Sequence, residues 1–288
     1  MADDWRASLI VTTYQRPRAL DRVLHGLAQQ TVPPAEIVIA DDGSTEDTEA
    51  VVREWQRRLP VPLRHVWQED RGFRAAAARN RAVAASAGNY LVFLDGDCLV
   101  FPDFVARHRA LAESGKLVMG SRILCDPSLT EAIEAGTTDP LTWAWREWRQ
   151  ARRSSGVNRL FPLLRVPGQA WRHLRPKRWQ GVRTFNLAVW RDDFVRVNGF
   201  DETFQGWGHE DADLAVRLMH AGIRRKEGQF ALPVLHLWHR ESSRQLEPEN
   251  VARLRQRLDD PEQIRAVAGL DRYACPPTVV AADAADSR

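Results

Sequence analysis

Two aspartates separated by one glycine, Asp95 and Asp97, close an unbroken run of aliphatic and aromatic residues in Asn89-Tyr90-Leu91-Val92-Phe93-Leu94-Asp95-Gly96-Asp97-Cys98. Carboxylates in that arrangement suit a hard divalent cation, Mg2+ or Mn2+, which takes oxygen ligands and is usually shared with substrate phosphates. His236 and His239, three apart beyond another strand-like stretch, could close the coordination shell from the opposite wall, and imidazole tilts the choice toward Mn2+. An Asp-x-Asp triplet alone is also what a turn after a strand uses for backbone reasons. Its company matters more. In Trp207-Gly208-His209-Glu210-Asp211 an aromatic plate and two acids stand just before a helix. A carboxylate there is normally ionised and can act as a general base, while Trp207 could stack on a sugar ring or pack in the core. Arg74 and Arg79 flank four alanines at another helix start, where a cation and free amides can face a diphosphate or a base. Of these two arginines, Arg79 reads as a solvated surface cation. In Asp41-Asp42-Gly43-Ser44 one aspartate can cap the following helix while the other meets a ligand.

These groups need a frame that brings strand tips together. Strand-like stretches at 8–14, 36–40 and 90–94, with a third strand expected around 63–67, alternate with helical stretches starting at Pro17, Thr45 and Ala75. A β-α-β-α-β-α-β order implies an α/β, Rossmann-like, doubly wound sheet, mostly parallel, whose carboxyl ends bind ligands. Strand character returns at 182–189 and 230–235, with a helix over 211–221 carrying Leu214, Ala215 and Leu218 inward and stopped by Gly222. Polar helices are expected within 249–270 and a disordered tail after Pro277. The expected division is a nucleotide-binding half over 1–125, a basic aromatic insertion over 126–181, an acceptor-binding and catalytic half over 182–245, and a helical extension over 246–288.

A chain of 288 residues with 44% hydrophobic content can bury a sizeable core, and a net charge of +3 excludes bulk-charge binding to a polyanion. No nucleic-acid partner is expected. Cys98, Cys125 and Cys275 lack metal or disulfide spacing and fit a reducing compartment. No signal peptide is read in residues 1–6 and no run spans a bilayer, so the expectation is cytoplasmic, with possible peripheral contact at the inner face of the membrane. That contact would run through 141–179, where five tryptophans lie among ten Arg and Lys residues and a single acid, Glu147. Acceptor binding by that segment and a plain helical subdomain with solvated arginines are the competing readings. Oligomeric state is not legible.

Thr12-Thr13-Tyr14-Gln15-Arg16-Pro17, Asp41-Asp42-Gly43-Ser44, Phe73-Arg74-Ala75 with Arg79-Asn80, Leu94-Asp95-Gly96-Asp97 and Gly206-Trp207-Gly208-His209-Glu210-Asp211 occur in the order seen in family 2 glycosyltransferases of the GT-A fold. The resemblance covers roughly residues 8–240, and its second half looks most like the galactosyltransferase domain shared with chondroitin-type polymerases. It implies an inverting, metal-dependent transfer of a hexose or N-acetylhexosamine from a UDP-sugar to a carbohydrate or glycoconjugate acceptor. Thr12, Tyr14 and Asp41 would then contact the uridine, Arg74 the nucleotide, and Asp95 the ribose or sugar. Asp97, His239 and His236 would hold the metal, the last at a position that is methionine in some relatives. Glu210 would bind hydroxyls with Trp207 and His209 beside it, and Asp211 would be the base. One departure is that His209 stands where the family commonly has a second glycine. A nucleotidyltransferase, or a non-catalytic module binding carbohydrate or nucleotide sugar, is the alternative.

Overall fold

The computed structural model describes residues 4–240 and 243–273. The tail after Pro277 therefore lies outside the described residues. In chain order, β1 (Ala7–Thr13), α1 (Pro17–Ala28), β2 (Glu36–Asp41), α2 (Glu46–Arg58), β3 (Leu63–Trp67), α3 (Ala75–Ala84) and β4 (Tyr90–Asp95) form the doubly wound half. β5 (Cys98–Val100), α4 (Phe104–Leu111), β6 (Lys116–Met119), β7 (Ser121–Leu124), α5 (Pro127–Glu134) and α6 (Trp145–Arg153) follow. The chain continues through β8 (Asn186–Trp190), α7 (Arg191–Arg196), α8 (Glu210–His220), β9 (Arg224–Glu227), β10 (Pro233–His236) and α9 (Glu247–Asp259).

The main sheet runs β3-β2-β1-β4-β8-β6-β9. Its pairs are parallel except where β8 lies antiparallel between β4 and β6, so the sheet is mostly parallel, as the α/β reading requires. β1, β2 and most of β4 are buried on both faces, which explains their lack of polar alternation. Strand structure begins at Asn186, not 182, because residues 182–185 approach the sheet as an irregular turn.

A second sheet, β5-β10-β7, carries the histidine-bearing chain to the aspartates: β10 pairs with β5 and β7, and the Leu237 N–H donates to the Asp97 carbonyl at 2.9 Å. Helix α3 lies close to the sheet because its alanines leave little side chain between them, so Ala75, Ala76, Ala77 and Ala78 are all buried. Behind the tip of β4, Phe93 packs at 5.4 Å on Phe194 and at 5.2 Å on Phe200, backing the strand end with aromatic contacts.

In the segment over 126–181, Trp148 and Ala151 of α6 face inward, and Trp143 stacks edge-on against Trp148 at 5.0 Å. Arg172 is buried and donates to the carbonyls of Glu227 and Gln229, so part of this basic cluster serves the fold. Arg149, Arg152 and Arg153 face solvent. C-terminal to the site, Arg257 of α9 donates to Asp213 of α8 at 2.8 Å and to Asp201 at 2.9 Å, all three being buried. Among the described residues no helix is long and apolar enough to cross a membrane.

Candidate active site

Arg79 organises the centre of the site. It is buried, not solvated as read from sequence, and it donates to Thr12 Oγ1 at 3.0 Å, to Glu210 Oε1 at 3.1 Å and to Asp95 Oδ1 at 3.3 Å. One guanidinium from α3 thus joins the tip of β1, the tip of β4 and the first turn of α8. The 95/97 and 210/211 acid pairs, far apart in sequence, converge there. Sequence reasoning missed this residue because its burial depends on Thr12, Asp95 and Glu210, partners distant in sequence; Arg81, two residues on in the same helix, is exposed. Gly96 is required for a similar reason, since its N–H donates to the Thr12 carbonyl at 2.7 Å and a Cβ would meet that oxygen at 2.9 Å.

Burial pushes Asp95 up to about 6, with Asp97 and Glu210 adding to the rise and Arg79 restraining it. Burial, and then the neighbouring Glu210 carboxylate, pushes Asp211 up to about 7 against Arg183 and Arg79. The expectation that Asp211 is held ionised by its helix start is corrected: enclosure outweighs the helix terminus. A carboxyl near neutral is a far better proton acceptor than a free aspartate.

At the tip of β2, Asp41 is fully buried, its Oδ1 accepting the Ser44 N–H at 2.8 Å and its Oδ2 facing His65 Nε2 at 2.8 Å. Burial opposes its charge, but hydrogen bonds from His65 and Ser44 hold it below the usual carboxylate range. Asp42 accepts the Arg74 N–H at 2.7 Å and is pushed up by burial. Neither aspartate caps α2, whose N-cap is Thr45 with no side-chain hydrogen bond. The Arg74 guanidinium donates to the Glu69 carbonyl, and the Tyr14 hydroxyl to Asp70 at 2.9 Å. A cavity of about 410 Å³ is lined by Tyr14, Asp42 and Phe73 on this side and by Gly206, Trp207 and Leu246 across from them.

The proposed metal ligands also meet. His236 Nε2 lies 3.7 Å from Asp97 Oδ1, His239 Nε2 lies 3.5 Å from Asp97 Oδ2, and the two rings are 5.3 Å apart. Burial lowers the His236 pKa, favouring the neutral imidazole that a ligand must present. One carboxylate and two imidazoles in this proximity fit a divalent ion of the Mn2+ type.

The sequence pattern described as glycosyl transferase family 2 matches residues 8–165. The chain belongs to glycosyl transferase family 2. A second pattern, the N-terminal domain of galactosyltransferase, matches residues 171–240. Among curated relatives, validoxylamine A glucosyltransferase of Streptomyces hygroscopicus subsp. limoneus is 36% identical over 75% of this chain and 48% of its own. Chondroitin synthase of Escherichia coli is 28% identical over 78% of this chain and 34% of its own. The chain thus spans about half, or less, of the length of these relatives. The solved mannosyltransferase PcManGT from Pyrobaculum calidifontis, in complex with GDP-Man and Mn2+, superposes with a TM-score of 0.53 at 21% identity, covering 80% of this chain and 56% of that one. S. aureus TarS 1–349 in complex with UDP-GlcNAc gives 0.60 at 14% identity, covering 93% and 69%. These likenesses show the GT-A fold.

In this family 2 chain, His209 sits at φ 75, the left-handed region, which accounts for the glycine common at that position. Its Nε2 lies 3.9 Å from Glu247 Oε1, a long contact that returns little. His209→Gly is therefore expected to raise stability by about 0.5–1 kcal/mol, read as a higher melting temperature. An unchanged or lower melting temperature would show that the imidazole has contacts worth more than the strain. Trp207 is half-buried, with the Arg244 guanidinium 4.4 Å from its ring centre, so its indole is held as a plate on the cavity wall and is not packed in the core.

Proposed function

We propose that this chain is the catalytic part of an inverting, metal-dependent glycosyltransferase that moves a hexose or N-acetylhexosamine from a UDP-sugar to a hydroxyl of a glycan or glycoconjugate. The observation that supports this reading is the Arg79 tie between Asp95 and Glu210, which brings carboxylates from β4 and α8 around one space. Asp41, set by His65, and Thr12 and Tyr14 receive the uridine, Arg74 the nucleotide, and Asp95 the ribose or sugar. Asp97, His236 and His239 hold Mn2+, or Mg2+; when bound, the ion supplies positive charge against the leaving diphosphate. Trp207 and His209 border the acceptor, and Glu210 orients its hydroxyls. Asp211 takes the proton of the attacking hydroxyl as the oxygen reaches the anomeric carbon from the face opposite the diphosphate, which inverts its configuration.

Incubation with Mn2+, a panel of nucleotide sugars and a panel of glycan acceptors tests this. UDP release from a UDP-hexose or UDP-N-acetylhexosamine, abolished by chelation, is expected. A chain that binds no UDP with Mn2+ present, or that releases pyrophosphate from a nucleoside triphosphate and a sugar phosphate, would overturn the proposal in favour of a binding module or a nucleotidyltransferase.

A further inference from the structure

We infer that Arg16, anchored by Glu134, couples cation binding to the arrival of the diphosphate. The inference deepens the proposed function and rests on its metal site.

Arg16 ends the β1–α1 turn. Gln15 before it stands at φ 51, a conformation that side chains rarely adopt. The Ser44 hydroxyl oxygen accepts the Gln15 N–H at 2.9 Å, and Gln15 Oε1 accepts the Thr45 hydroxyl at 3.1 Å. A turn held in that state has little freedom in where it sends its next side chain. Arg16 Nη1 donates to Asp97 Oδ2 at 2.9 Å, and Nη2 donates to Glu134 Oε1 at 2.7 Å and to the Trp238 carbonyl at 3.2 Å. The Asp97 oxygen it engages is the one that His239 faces. Glu134 closes α5, outside every motif read from the sequence, and its side chain, like those of Arg16 and Asp97, is mostly buried.

A fixed positive charge therefore lies one carboxylate away from where the cation would sit. A divalent ion arriving alone meets repulsion from Arg16 across a few ångströms of partly enclosed space. An ion arriving with a diphosphate meets less of it, because the added negative charge also attracts the guanidinium and loosens its hold on the Asp97 oxygen that the ion needs. The affinity of each for the site is thereby raised by the other, and this coupling is reciprocal. No covalent step is involved. Arg16 acts as a positioning and charge-setting residue, with Glu134 keeping it from swinging onto Asp97 alone or out to solvent.

Mn2+ binding, measured by the paramagnetic resonance signal of free Mn2+ with and without UDP, tests this on the full chain carrying Arg16→Gln, Arg16→Lys or Glu134→Gln. The parent chain is expected to bind Mn2+ more tightly when UDP is present. Arg16→Gln should tighten binding of Mn2+ alone by about tenfold or more, the scale of a unit charge a few ångströms away, and shrink the UDP enhancement by the same factor. Arg16→Lys should stay close to the parent. Glu134→Gln, which strips a negative charge and leaves the guanidinium, should weaken Mn2+ alone. Opposite signs for the two glutamine variants are something that general damage to the site would not produce. If Arg16→Gln binds Mn2+ no better than the parent while UDP still enhances binding, the role of Arg16 is overturned and the metal site stands. If the parent binds no Mn2+ in either condition, the metal site and the inference fall together.

Discussion

At pH 8 the Asp211→Asn variant is expected to turn over no donor, to bind donor nearly as well as the parent chain, and to unfold at a higher temperature. Asp211 is 6% exposed, and its carboxyl is pushed up to about 7 by burial and by Glu210. Between the ordinary aspartate value near 4 and about 7, the folded protein keeps a proton that the unfolded chain has released. Stability therefore falls as pH rises through that window and stays lower above it. An amide of the same shape removes this penalty, worth about 2 kcal/mol at pH 8 after allowance for solvent and for the lost partner of half-exposed Arg183. The same shift sets the pH profile of the parent: kcat/KM should drop below about 7, where the base carries its proton. Steady-state assays, donor titration and thermal melts at pH 5.5 and pH 8 read all three effects. Residual turnover in the variant would remove Asp211 from the role of base, and donor binding lost together with turnover would place it on the donor instead.

Much of the N-terminal half of the sheet was legible because β1, β2 and most of β4 are buried on both faces, so these strands read as apolar runs, while the edge strand β3 carries polar residues. What escaped reading was polar structure whose burial depends on distant partners. β9 has the sequence Arg224-Arg225-Lys226-Glu227, which has no strand pattern, yet Arg225 and Lys226 are buried, Arg225 donating to the Gln180 carbonyl at 3.0 Å and Lys226 pairing with Glu113 at 2.9 Å. Local periodicity carries no trace of such pairings. Arg16 and Glu134 escaped for the same reason, being 118 residues apart and joined only in space. His209 was noticed as a departure, but the positive φ that gives the departure its cost is a backbone property that only coordinates reveal. The histidines at 236 and 239 were legible as a pair because they stand three apart at one strand end, His236 closing β10 and His239 just past it, beside a carboxylate that strand pairing brings within reach.

Replacing Arg79 by leucine is expected to cost about 3 kcal/mol at pH 8 and to abolish turnover, because Glu210 would be left buried without its cation and Asp95, about two-thirds covered, would lose the nearer of its positive neighbours. The sign of its pH dependence distinguishes this cause from simple loss of packing. Asp95 already stands at about 6 with the guanidinium present, and removing that charge lets burial and the neighbouring carboxylates push it higher. A carboxyl raised in the folded state is tolerated once protonated, so the deficit should shrink as pH falls toward 5.5 and grow as it rises to 8. Arg79→Lys should recover little, since an ammonium is a point charge that cannot serve Thr12, Asp95 and Glu210 from one planar fork. Urea unfolding of the parent and both variants at the two pH values measures each expectation. A loss of the same size at both pH values would mean that Arg79 matters as volume beside Phe200, whose ring centre lies 5.5 Å from the guanidinium carbon. A loss that follows pH would mean that the two acid pairs of the site, more than a hundred residues apart in sequence, are held against their own repulsion by this buried cation.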